Sequence, residues 1–133
     1  MTLRRRRLPE ELRAPARAFD DLVPELERAK AALTDAVPGT RMPGRPLAEA
    51  LWAFETGLRE AEGRMVAWRT PEVETEWIVA EAGLAEALGM AERLRTRDAE
   101  PHGFEELIGV VGDLLAPLEA FEAAAARFRE LRR

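Results

Sequence analysis

The sequence predicts an all-α protein, an up-down-up-down four-helix bundle. Three observations carry that expectation. Apolar residues recur at alternating spacings of three and four through most of the chain, the pattern of amphipathic helices. Proline and glycine cut this pattern into four blocks joined by short links. No stretch alternates apolar and polar residues with period 2, so no strand is expected.

The first block runs from about Pro9 to Ala36, with an apolar stripe of Leu12, Phe19, Leu22, Val23, Leu26, Ala29 and Leu33. Pro15 and Pro24 fall inside it. An interior proline removes a backbone hydrogen bond and crowds the preceding turn, so helix 1 is expected to kink or to restart near Pro24. Val37 to Arg45 holds two Pro-Gly pairs and reads as a loop. Pro46 then suits the first position of helix 2. That helix carries Leu47, Leu51, Phe54, Leu58, Ala61, Met65 and Trp68, an unbroken seam. Glu55 with Arg59, and Glu60 with Arg64, have the spacing of favourable i,i+4 ion pairs.

Thr70-Pro71-Glu72 signals a restart, with a capping Thr, a proline and acids in the first turn. One or two residues would then separate helices 2 and 3 in a tight antiparallel hairpin. Helix 3 repeats the seam with Val73, Trp77, Ala80, Leu84, Ala87, Ala91 and Leu94, and ends near Arg97. After the loop from Asp98 to Gly103, helix 4 carries Phe104, Leu107, Val111, Leu114, Leu118, Phe121, Ala125 and Phe128, with a bend expected at Pro117. Residues 1–8, which include Arg4 to Arg7, read as a flexible basic N-terminal arm. Residues 9–133 read as a single four-helix-bundle domain.

Composition excludes much chemistry. The chain has no Ser, Cys, Tyr, Asn or Gln, one Lys (Lys30) and one His (His102). Thiolate metal sites, disulfides and Ser or Cys nucleophiles are therefore out of reach. A di-iron bundle needs Glu-x-x-His on two helices, which a single His cannot supply. Glu72, Glu74 and Glu76 open helix 3, where acids complement the helix dipole without a metal. No metal and no cofactor are expected. The net charge of −5 disfavours a nucleic-acid partner. No run of about 18 apolar residues suggests a membrane span, and a cytoplasmic protein is expected.

Elimination leaves binding. Trp52 and Val66 share one off-seam heptad position of helix 2, and Ile78 lies off the seam of helix 3. Tryptophan is enriched in interface hot spots. Gly57, Gly63, Gly83, Gly89, Gly109 and Gly112 lie within helices, where glycine is costly but allows close approach of another surface. The expected function is that of a non-enzymatic interaction protein: an adaptor, regulator or small subunit of an assembly. It would work through the helix 2/helix 3 face, with a protein partner or with itself. A small ligand is the alternative, in a pocket lined by Trp52, Trp68 or Trp77. Arg41 and Arg45, before the N-terminus of helix 2, have the chemistry to hold an anion.

One enzymatic pattern remains. Arg97-Asp-Ala-Glu-Pro-His102 resembles the R-x4-6-H motif of HEPN-family helical ribonucleases, with His102-Gly-Phe104 in place of that family's His-x-Tyr ending. The resemblance covers about eight residues and the helical context. It implies metal-independent RNA cleavage in a dimer cleft, with His102 as general acid/base and Arg97 on the phosphate. Ala99-Glu100-Pro101 departs from the family, because it reads as loop rather than helix.

Overall fold

The computed structural model describes residues 8–39, 43–97 and 101–132. It is 84% helix, with four helices packed against one another and no strand among the described residues. The α-helices are α1 (Glu10–Thr34), α2 (Leu47–Gly63), α3 (Glu74–Arg97), α4 (Phe104–Leu115) and α5 (Ala120–Leu131). α4 and α5 are the two halves of the expected helix 4. They join through a 3-10 turn, Ala116–Glu119, that contains Pro117. Proline has no N–H to give the α-helical ladder, so the helix tightens there and changes course. α1 passes through Pro15 and Pro24 as one helix, and no second helix starts near Pro24.

The link between α2 and α3 is longer than one or two residues. α2 ends at Gly63, and two 3-10 turns, Val66–Trp68 and Pro71–Val73, lead into α3. Both turns keep a near-helical path, so Met65, Trp68 and Val73 still point inward as the seams require. Thr70 stands before the second turn but makes no side-chain capping bond.

The seams form the core. Leu12, Phe19, Leu22, Leu26 and Leu33 of α1, Phe54 and Leu58 of α2, and Leu84 of α3 are buried together with Leu114, Leu118, Phe121 and Phe128. Trp68 lies fully buried at the centre of an aromatic cluster. Its ring meets Phe19 edge-on at 4.9 Å and stands 6.2–6.4 Å from Trp77, Phe121 and Phe128. The Trp77 indole N–H donates to the Met65 carbonyl at 2.8 Å, tying α3 to the end of α2.

Two of the six helical glycines serve this packing. A Cβ at Gly57 would come within 2.7 Å of the Ala29 Cβ, where α1 and α2 cross. A Cβ at Gly83 would collide with the Pro117 carbonyl. Gly63, Gly109 and Gly112 face open space.

One seam expectation fails outright. Phe104 is 53% exposed rather than buried, because α4 begins beyond the end of the bundle that its neighbours cover. In α5, Ala124 is the fully buried alanine and Ala125 packs half-buried against the core, while Phe121 and Phe128 keep the expected phase. Leu8, placed in the arm by its sequence, is buried and joins the core. The arginines Arg4 to Arg7 lie outside the described residues.

Candidate functional site

The outer face of α2 and α3 is organised by one buried acid. Glu55 is only 3% exposed, and its carboxylate accepts a 2.8 Å hydrogen bond from Arg95 Nε across the helix pair. Glu55 follows the seam residue Phe54 and turns towards α3. It does not form the expected i,i+4 pair with Arg59, and no ion pair joins Glu60 to Arg64 among the described residues. A buried carboxylate without a partner would be costly, so the pair constrains the Arg95 side chain. The Arg95 guanidinium carbon lies 5.7 Å from the Trp52 ring centroid, within cation–π range. Trp52 is itself 64% exposed. An indole and a guanidinium are thus presented side by side, fixed from below by Glu55.

The other two expected contact residues lie at the far end of this face. Val66 is 78% exposed and Ile78 is 51% exposed. They neighbour Met65 and Trp77, which are joined by the indole hydrogen bond. Val66 does not belong to helix 2, as its heptad position implied, but to the 3-10 turn that follows. Ile78 precedes Arg95 by 17 residues of continuous helix, about 26 Å at the usual rise. Trp52 and the Val66/Ile78 pair therefore form two separate apolar spots. Beside the second spot, Arg69 lies 4.1 Å over the Trp77 ring and makes a two-pronged ion pair with Glu74. Hydrogen bonding to Arg69 lowers the Glu74 carboxyl from its ordinary value and raises the Arg69 guanidinium.

The tryptophans do not share a pocket. Trp68 and Trp77 meet 6.4 Å apart in the core, while Trp52 stands outside it. Arg97 is the last residue of α3 and lines a groove with Met90, Arg93, Leu94, Val110 and Asp113. His102 is exposed, does not line that groove, and donates its backbone N–H to the Glu106 carboxylate at 2.9 Å. Gly103 follows with a φ of 99°, a conformation that favours glycine and turns the chain into α4. Residues 98–100 of the Arg97–His102 motif lie outside the described residues.

Arg41 also lies outside them. Arg45 donates its backbone N–H to the Asp35 carbonyl at 2.8 Å, and its Nε stands 3.5 Å from Glu49. It lines a cavity of about 340 Å³ between the two loops at the α4 end, with Pro38, Pro46, Leu47, Phe104 and Leu107. No three His, Cys, Asp or Glu side chains gather into a metal-binding group among the described residues. No described helix is long and apolar enough to cross a membrane.

Sequence reasoning missed Arg95, Val79 and Ile108. Val79 and Ile108 are half exposed at off-seam positions. The signal for Arg95 was Glu55, an acid directly beside the seam that needed a cation across the helix pair.

No family model matches the chain, and no curated protein or solved structure matches it.

Proposed function

We propose that this protein is a non-enzymatic interaction module whose α2/α3 face binds another protein surface, a second copy of itself included. The observation that supports this reading is the Trp52–Arg95–Glu55 arrangement. Tryptophan and arginine are the residue types that dominate interface energetics, and pre-ordering them lowers the entropic cost of association. Val66 and Ile78 add a second exposed apolar spot at the other end of the hairpin.

Sedimentation velocity tests the reading. The wild type is expected to sediment above its 14.9 kDa monomer mass at micromolar concentration. Trp52→Glu is expected to return it to monomer with an unchanged helical spectrum. Wild-type protein that stays monomeric, or a Trp52→Glu variant that associates as before, contradicts self-association through this face. Metal-independent RNA cleavage abolished by His102→Ala would overturn the reading in favour of the ribonuclease that the Arg97–His102 pattern resembles.

A further inference from the structure

A second surface lies on the other side of α3 from α2. α3 packs closely on the Pro117 turn and on α5, with Gly83 allowing the approach, but only lightly on α4. The two helices therefore leave a groove of about 230 Å³ beside the C-terminal half of α3. Its apolar residues are Met90, Leu94 and Val110, all half-buried. Its polar residues are of both signs and come from different walls. Arg93 and Arg97 stand one turn apart on α3, and Asp113 stands on α4. None of the three forms an ion pair with a described residue. Arg93 folds back along its helix, with Nη1 3.3 Å from where a Cβ would stand on Gly89.

We propose that this groove binds a free apolar α-amino acid of the leucine class, with its carboxylate on Arg93 and Arg97, its ammonium on Asp113 and its side chain against Met90, Leu94 and Val110. The charge pattern selects the class. A simple fatty carboxylate would satisfy the two arginines and bring a second negative charge towards Asp113. A simple amine would satisfy Asp113 and leave both arginines without a counter-ion. A zwitterion satisfies all three, and guanidinium pairs suit the planar carboxylate. The volume lies below the range usual for drug-sized ligands, which fits a molecule of few heavy atoms. The site is independent of the α2/α3 face.

The test is a titration of the full chain followed by amide NMR, with four probes. L-Leucine is expected to give saturable shifts confined to residues 90–97 and 107–113. Glycine lacks the side chain, 4-methylpentanoate lacks the ammonium and isoamylamine lacks the carboxylate. Each is expected to bind at least about tenfold more weakly. Arg93→Gln, Arg97→Gln and Asp113→Asn replace exposed side chains and are expected to keep the fold while each weakens leucine binding by a similar factor. Three results would overturn the proposal: no saturable shift with leucine, shifts elsewhere only, or 4-methylpentanoate binding as tightly as leucine.

Discussion

At the end where α2 turns into α3, four aromatic side chains close the core around Trp68. At the opposite end, where α4 begins, Phe104 and Ile108 stand 53% and 45% exposed. Both ends carry aromatic and aliphatic residues at helical spacing. The difference is what faces them. The Trp68 end has three layers converging on it: α1 through Phe19, the α2–α3 turns, and α5 through Phe121 and Phe128. Phe104 is faced only by the two loops and the first residue of α2, and α4 packs lightly on its neighbours. An apolar stripe makes a core only where other elements are long enough to cover it. Where they are not, the same stripe becomes surface available for binding.

The largest expected effect tests that contrast directly. Trp68→Ala is expected to destabilise the protein by about 3–5 kcal/mol, and Leu84→Ala by about 2–5 kcal/mol, because each opens a cavity in a fully packed region. Phe104→Ala should cost about 0.5 kcal/mol or less, as for a surface site. Urea unfolding of the three variants measures this. Comparable losses for Trp68→Ala and Phe104→Ala would show that the α4 end is as closed as the other.

Glycines sharpen the comparison with opposite signs. Gly83→Ala forces a methyl group into the Pro117 carbonyl and is expected to destabilise by about 1–3 kcal/mol. Gly112→Ala adds a methyl group in open space on α4, where the helix propensity of alanine should raise stability by up to about 1 kcal/mol. Thermal melts of the two variants should shift in opposite directions. A destabilising Gly112→Ala would mean that α4 is covered after all.

The smallest effect is a pH dependence at the closed end. Pairing with Arg69 holds the Glu74 carboxyl below its ordinary value in the folded state. A group lowered on folding contributes stability above its unfolded pKa and loses it as pH falls through the folded pKa. Glu74→Gln should therefore lower stability slightly at neutral pH. The difference from wild type should vanish as pH drops below the ordinary glutamate range. A difference that persists unchanged in acid would assign the effect to packing instead.

Periodicity alone identified most of the core. Leu12, Phe54, Leu58, Leu84, Leu114 and Leu118 are buried where their spacing put them, and Pro117 bends the last helix where a missing N–H demands it. Residues such as Trp52, Val66 and Ile78 stood out as apolar positions that the seams did not use, and all three are exposed. These are local consequences of the 3.6-residue repeat, and they are readable from one chain segment at a time.

Only tertiary structure decided the rest. Glu55 looked like half of a helical ion pair with Arg59, yet it reaches Arg95, forty residues away, because burying a carboxylate requires a cation from the opposing helix. Gly57 and Gly83 were indistinguishable in sequence from Gly109 and Gly112. Crossing helices press on the first two, and nothing within 4 Å would meet a side chain on the other two. Phe104 fitted its seam and still lies exposed. Helical phase sets the direction in which a side chain points, and only the length and placement of neighbouring elements set what it meets there.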